Sequence, residues 1–259
     1  MVGEAENDIP DTTCAGPQVL QVKPVIWTKA EVQELPTFPG DPRGLALVIN
    51  DRGQVVGWSG NCTTGVHALL WDKGIVTDLG NLGGTINNFA LNINNQGQVI
   101  GNSALPGNTT DHAFLWENGV ITDLGTLPGD VSSGAGGINS KSQVTGISCD
   151  VNFNCRAFFW QKGVMTDLNT LIPADSPLFL INAVGINARG QIDGLAFQTS
   201  TGEFHAFLAT PVHGEISSES ATAGARGRKI ILPAHVRKML RESLAKPNFG
   251  RWLRAWDLK

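Results

Sequence analysis

His112-Ala113-Phe114-Leu115-Trp116-Glu117-Asn118-Gly119-Val120-Ile121-Thr122-Asp123-Leu124-Gly125 is the clearest copy of a motif that recurs along this chain. Similar runs open at Lys23, His67 and Arg156, and the opening alone recurs at His205. The tryptophans of the four longer copies are spaced by 44, 45 and 44 residues: Trp27, Trp71, Trp116 and Trp160. A period of about 40–45 residues is typical of a four-stranded propeller blade.

Each repeat contains two hairpin signals. The first is a Gly-containing turn between apolar runs, as in Trp71-Asp72-Lys73-Gly74. The second places Asn first and Gly fourth, as in Asn50-Asp51-Arg52-Gly53, which is typical of a type I turn. In the third copy Ser142 replaces this Gly, which predicts that this turn has the most strained backbone of the four. Two hairpins per period predict four strands per unit.

These patterns predict an all-β, β-propeller-like array of four-stranded blades over residues 1–212, with four full repeats plus a partial one. Each interval between tryptophans is expected to form its own sheet. Both ends of the repeat region supply the same two strand types, so they cannot complete one blade together. Either four blades close and one pair of strands is left over, or the segment is an arc of a larger ring. We favour the arc, and with it a chain lacking an N-terminal part and exposed edges open to edge-to-edge self-association.

The sequence after the repeats differs in composition and charge. Residues 213–228 are typical of a linker, and residues 229–259 are predicted to form a basic amphipathic helical tail. Residues 226–259 carry a net charge of +8 and the rest of the chain −12. The helix either docks on its own domain, which we favour, or binds a membrane surface or nucleic acid through exposed basic residues. The candidate contacts are Arg237, Lys238, Arg241, Arg251 and Arg254.

All four cysteines precede an opening strand. Cys149 and Cys155 bracket a short span that a hairpin can close, so a disulfide there is a candidate, as is one between Cys14 and Cys62. The alternative is four ordinary thiols. No Cys-x-x-Cys pair is present, so a structural zinc site has little support.

Three histidines, His67, His112 and His205, occupy equivalent positions. They would hold a metal if they converged, but two of the five copies lack His, so each ring is expected to bond groups within its own blade. The recurring Asp78, Asp123 and Asp167 are expected to bond turn backbone rather than calcium. We predict no cofactor, and no catalytic motif is recognisable.

The His-Ala-Phe openings, together with the Asn-Gly-x-x-Thr-Asp-Leu-Gly and Ile-Asn-x-x-Gly-Gln segments, resemble the HAF-repeat family over residues 1–212. The resemblance implies an extracellular bacterial protein with a propeller-like fold, although this chain shows no signal peptide. It implies no reaction or ligand. Lys23 and Arg156 in place of His, and Ala209 in place of Trp, depart from the family pattern.

Three functions remain open on the sequence. The first, which we favour, is a non-catalytic, secreted or cell-surface module that binds protein or glycan through inter-strand loops. The second is a polysaccharide hydrolase or lyase acting near Asp175, in the lengthened loop Ile172–Pro177. The third is a surface protein attached to membrane or nucleic acid by its tail.

Overall fold

The computed structural model describes residues 1–14, 19–29, 31–63, 65–212 and 230–244. The expected linker, 213–228, lies outside the described residues. So does the tail beyond Leu244, including Arg251 and Arg254.

The described chain forms five antiparallel sheets, numbered 1 to 5 along the chain. Sheet 1 contains β1 (Val2–Pro10), β2 (Leu20–Thr28) and β3 (Glu31–Glu34). Sheet 2 contains β4 (Arg43–Ile49), β5 (Val55–Gly60), β6 (Val66–Asp72) and β7 (Ile75–Asp78). Sheet 3 contains β8 (Asn88–Ile93), β9 (Val99–Ala104), β10 (Asp111–Glu117) and β11 (Val120–Asp123). Sheet 4 contains β12 (Ser132–Ile138), β13 (Val144–Cys149), β14 (Cys155–Gln161) and β15 (Val164–Asp167), and sheet 5 contains β16 (Leu178–Ile186), β17 (Ile192–Gln198) and β18 (Glu203–Ala209).

The propeller-like all-β fold is confirmed, but the expected division into blades is shifted by half a repeat. Each sheet runs from the strand before an Asn turn to the strand after a tryptophan, so each interval between tryptophans is shared by two sheets. The result is three four-stranded and two three-stranded sheets, instead of four full blades and a partial one. The physical reason is that the loop beginning Asp-Leu after β7, β11 and β15 crosses to the next sheet, whereas the loop before His67, His112 or Arg156 joins neighbours within a sheet.

The sheets pack face to face in chain order, and their inner strands β4, β8, β12 and β16 neighbour one another. Apolar residues of successive sheets form shared clusters. For example, Val56 and Leu70 of sheet 2 pack with Ile93 and Phe114 of sheet 3. Within the described residues, no strand of sheet 1 packs extensively on a strand of sheet 5. The array is therefore an open arc.

In sheets 3 and 4, the Gly of the Val-x-Gly strand and the Phe of the next strand depend on one another. A Cβ at Gly101 would overlap the Phe89 carbonyl oxygen and the Phe114 ring, and Gly146 has the same relation to Phe158. The chain bulges beside each of these glycines. The missing side chain thus makes room both for the inner strand and for a buried aromatic ring.

The Asn turns are linked from sheet to sheet. Each Asn Oδ1 accepts two backbone N–H groups of its own turn, as Asn94 does from Gln96 and Gln98. Each Nδ2 then reaches the next sheet: Asn50 donates to the Asn94 carbonyl, Asn94 to that of Asn139, and Asn139 to that of Asn187, all at 3.0 Å. We call this chain of bonds the Asn ladder.

Ser142 adopts a φ of 57°, in the left-handed region that its glycine equivalents occupy freely. This agrees with the backbone strain expected at that turn. The Ser142 hydroxyl donates to Gln98 Oε1 at 2.9 Å, an added bond between sheets.

The tail contributes one described helix, α1 (Ala234–Leu244). Val236 and Leu240 are buried, and they pack on Ile147, Phe179 and other residues of sheets 4 and 5. The Leu232 N–H, just before the helix, donates to Asn154 Oδ1 at 3.0 Å. The favoured docking of this helix on the repeat domain is therefore what the structure shows.

Candidate functional site

Every sheet has two chemically different ends. The turn end contains the Asn turns and the hairpin turns that follow the tryptophans. The loop end contains the connections between sheets and the connection before each His-Ala-Phe opening. The candidate site residues of the sequence lie mostly at the loop end.

The three equivalent histidines do not form one site. His67 Nδ1 lies 2.9 Å from Asp41, in the loop that precedes its sheet, and His112 Nδ1 lies 2.9 Å from Asp123, on the adjacent strand. His205 Nε2 lies 3.7 Å from Glu203 on its own strand. Each imidazole thus faces its own carboxylate instead of a shared metal position.

Arg156 occupies the histidine position in sheet 4 and forms a buried ion triad. Its guanidinium lies 2.9 Å from Asp130 and 3.0 Å from Asp167, and it donates to the Pro128 carbonyl at 3.2 Å. The Asp130 side chain has no exposed surface. The arginine therefore combines the partner from the preceding loop, as in His67, with the partner from the neighbouring strand, as in His112.

A recurring serine, which the sequence patterns above did not include, anchors the loops that lead into sheets 2, 3 and 4. Ser148 Oγ accepts the Leu127 N–H and donates to Asp130, and Ser59 does the same with Phe38 and Asp41. In sheet 3, Ser103 donates instead to Asn88. The available signal was a serine two residues after each Val-x-Gly glycine.

The recurring aspartates perform the expected turn role. Asp78, Asp123 and Asp167 each accept the backbone N–H two residues ahead, at 2.7 to 2.9 Å. Within the described ranges, the only group of three His, Cys, Asp or Glu ligand atoms lying within 4.8 Å of one another is Asp11, Cys14 and Cys62. Because the two sulfur atoms of that group are joined to each other, they are not thiolate ligands.

Both candidate cysteine pairs are bonded in the structure. Cys149 and Cys155 face one another across β13 and β14, buried beneath helix α1. Cys14–Cys62 is more exposed and joins the loop of sheet 1 to the loop end of sheet 2.

Asp111 is the residue with a perturbed titration. Burial raises the pKa of its carboxyl above the ordinary value, while the bond from Asn87 and the nearby His112 oppose that rise. Asn87 Nδ2 donates to Asp111 Oδ2 at 3.1 Å. A raised pKa can mark a functional acid, but here the cause is mainly desolvation.

Trp71, Trp116 and Trp160 pack between sheets, as expected, whereas Trp27 in sheet 1 lines a pocket with Met1 and Val32. Trp71 is 2% exposed and its indole N–H donates to the Pro36 carbonyl at 2.7 Å. Trp160 is buried in the cluster between sheets 3 and 4.

The two ends differ in exposed charge, although each carries both signs: the turn end also exposes Glu31, Asp51 and Glu117, and helix α1 places basic residues beside Phe153 at the loop end. Six of the nine Lys and Arg residues between 1 and 212 lie exposed in repeated turns of the turn end: Lys29, Arg52, Lys73, Lys141, Lys162 and Arg189. The loop end exposes carboxylates: Glu34, Asp78, Asp123, Asp175 and Glu203. Asp175 lies in the lengthened loop between β15 and β16, as the sequence suggested.

The basic face of helix α1 remains exposed after docking. Lys238 faces solvent and lies 3.8 Å from Glu242, and Arg241 stacks over the Phe153 ring. Arg237 is half-buried. The apolar residues Val236 and Leu240 of the docked helix pack on the sheets. Among the described helices, none is long and apolar enough to cross a membrane.

The sheets, their order and their packing define a propeller-like repeat protein. The chain matches no known family model, and no curated protein matches it. Among solved structures it is similar to the β-propeller domain of the Trilobed protease from Pyrococcus furiosus, described as having an open velcro topology. The two are 11% identical, with a TM-score of 0.44 over 73% of this chain and 59% of that chain. A likeness at this level does not bear on function.

Proposed function

We propose that this chain is a non-catalytic interaction module that binds a protein or glycan partner through its loop end. The proposal rests on the ion pairs that the polar side chains of the loop end form within the protein. His67, His112 and Arg156 are each paired with carboxylates of the protein itself, so they hold loops in place instead of converging on a substrate.

The charge of the loop end narrows the partner. Away from the connection of sheet 4, which is covered by the basic helix α1, its exposed carboxylates favour a cationic protein surface or an uncharged glycan over an acidic polysaccharide, because like charges repel during encounter. Loops held by a rigid scaffold are also where binding residues concentrate.

The location we propose is secreted or cell-surface. Two disulfides support it, because disulfides form and persist in oxidising compartments. The sequence resemblance to the HAF-repeat family points the same way.

The test combines binding and turnover on one set of probes, an array of glycans and of Lys- and Arg-rich peptides. We expect saturable binding to at least one probe, without released reducing ends. The triple variant Glu34→Gln, Asp78→Asn and Asp175→Asn should bind about tenfold more weakly, and more so at low salt. A matched variant at the turn end, Lys29→Gln, Lys73→Gln and Lys162→Gln, should bind as the original does.

Two results would overturn this proposal. Product formation that depends on Asp175 would make the protein a polysaccharide-acting enzyme. Binding lost in the turn-end variant, but kept in the loop-end variant, would place the partner on the opposite surface.

A further inference from the structure

The outer edge of β18 has no partner strand among the described residues. In sheets 2, 3 and 4, the equivalent strands β6, β10 and β14 each pair with a short outer strand. Those outer strands and the residues after them read Ile-Val-Thr-Asp-Leu, Val-Ile-Thr-Asp-Leu and Val-Met-Thr-Asp-Leu. The three occupied edges therefore indicate which strand sequence the open edge of β18 would pair with.

The backbone of the occupied edges pairs in one register. In sheet 3, Phe114, Leu115 and Trp116 face Asp123, Thr122 and Ile121. The Leu124 N–H then donates to the Ala113 carbonyl at 3.0 Å, and Leu79 does the same to Ala68 at 2.9 Å. Because strand residues alternate in direction, the equivalent Ala206 and Leu208 direct backbone N–H and C=O groups toward the open edge.

Side chains at the β18 edge lack the partners that an outer strand supplies elsewhere. The outer-strand aspartate bonds His112 in sheet 3 and Arg156 in sheet 4. His205 holds that position in sheet 5, where its Nε2 makes no hydrogen bond and lies 3.7 Å from Glu203 of its own strand. The 68% exposure of Leu208 has a different cause: its equivalents Leu70 and Phe159 are buried against the following sheet, and sheet 5 is the last of the described sheets.

The chain that follows β18 cannot fold back to fill this edge as its equivalents do. The hairpin turns of sheets 2, 3 and 4 place Lys73, Asn118 and Lys162 at a φ of 51°. Pro211 stands at that position after β18. A proline ring fixes φ near −65°, so this turn is excluded.

We propose that the β18 edge is a strand-acceptor site for an extended segment of a partner protein, with two apolar residues followed by Thr-Asp-Leu. The segment adds to sheet 5 through backbone hydrogen bonds, and its aspartate pairs with His205. A second copy of this chain does not fit the role, because its own Thr-Asp-Leu segments are already paired within its sheets. This site is separate from the loop-end surface, so either proposal can fail alone.

The probe is a labelled synthetic peptide with the sequence of residues 119–125, Gly-Val-Ile-Thr-Asp-Leu-Gly. We expect saturable binding in fluorescence anisotropy. A peptide with Ala in place of Asp should bind about tenfold more weakly, the size of one lost charged hydrogen bond. The reversed sequence should not bind.

Two protein variants test the edge itself. Leu208→Pro removes an outward N–H without touching the pairing to β17, since proline is tolerated on an edge strand. It should abolish binding, while the matched Leu208→Thr retains the N–H and should keep most of it. In the His205→Ala variant, the Asp and Ala peptides should bind with equal affinity. This double-mutant cycle tests the proposed Asp–His205 pair even if Leu208→Pro fails to fold.

Absence of saturable binding to the unaltered protein would overturn the proposal. Equal binding of the forward and reversed peptides would do the same. So would concentration-dependent dimerisation that Leu208→Pro abolishes in analytical ultracentrifugation, because the edge would then belong to a second copy.

Discussion

At the scale of single residues, the turn asparagines have a double role. Asn94 and Asn139 close their own turns through Oδ1 and bind the following sheet through Nδ2. Asn187 closes its turn in the same way, but donates to no further turn among the described residues. The same residue type therefore contributes differently according to its place in the array.

Asn94→Asp tests the inter-sheet bond. The carboxylate still accepts the turn N–H groups but cannot donate to the Asn139 carbonyl. We expect a loss of about 1–3 kcal/mol in the free energy of unfolding, because the donor is lost and a buried carboxylate then faces the Asn139 carbonyl and Gln98 Oε1 oxygens. Urea unfolding measures it. The control, Asn187→Asp, should cost under about 1 kcal/mol, and equal losses would show that the ladder adds nothing.

Arg156 balances two buried carboxylates, Asp130 and Asp167. Arg156→Leu leaves both without their cation, so we expect a loss of about 3–5 kcal/mol in unfolding free energy. His205→Ala, at the equivalent but exposed position, should be near neutral. Chemical denaturation of the two variants side by side gives the comparison, and a small loss for Arg156→Leu would mean that water replaces the guanidinium.

The raised pKa of Asp111 predicts that the stability difference between the Asp111→Asn variant and the original protein depends on pH. Because burial raises its folded pKa above 3.8, its charged form is disfavoured in the folded protein at neutral pH. That penalty decreases as pH falls through the folded pKa and is gone below the unfolded one. Asp111→Asn should therefore have a higher urea midpoint than the original at pH 7, with the gap closing by about pH 4. A gap independent of pH would contradict this.

At the scale of elements, helix α1 stabilises one end of the array by covering the Cys149–Cys155 hairpin. Its sequence spacing predicted an apolar face, and Val236, Met239 and Leu240 provide it. The sequence could not show which surface receives that face, because the receiving residues belong to distant sheets.

Val236→Asp places a charge in that interface and should release the helix. Trypsin should then cleave at Arg237 and Arg241 about tenfold faster, since cleavage follows local opening. Glu242→Gln, on the exposed face, should leave the rate unchanged. Equal rates in all three proteins would mean that the helix opens freely in the original.

The strand types were predictable because each repeat carries its own turn chemistry. The grouping of strands into sheets was not, because both loop-end connections have the same Gly- and Asn-rich composition. The partners of His67 and Arg156 were hidden for a related reason: Asp41 and Asp130 precede them by 26 residues in the chain.

At the scale of the whole molecule, the two disulfides constrain different parts of the chain. Cys14–Cys62 spans 48 residues and joins sheet 1 to sheet 2, whereas Cys149–Cys155 spans six within one hairpin. Chain entropy gives the longer link about 4 kcal/mol and the shorter about 2 kcal/mol.

On chain entropy alone, the double variant Cys14→Ser and Cys62→Ser should therefore lower the free energy of unfolding more than the double variant Cys149→Ser and Cys155→Ser. Hydrogen exchange should show the loss concentrated in sheet 1. Under mild reductant the Cys14–Cys62 bond should open first, because it is the more exposed, and alkylation followed by mass spectrometry reads the order. Simultaneous reduction would contradict that assignment.

The Asn ladder has a consequence for how such chains change over generations. Every turn brings both its own donor and its own acceptor, so each new unit attaches by the chemistry already in place. A gene that duplicates or deletes one period would lengthen or shorten the arc without redesigning any neighbour. Stepwise variation in unit number is then an accessible route by which these proteins acquire new dimensions.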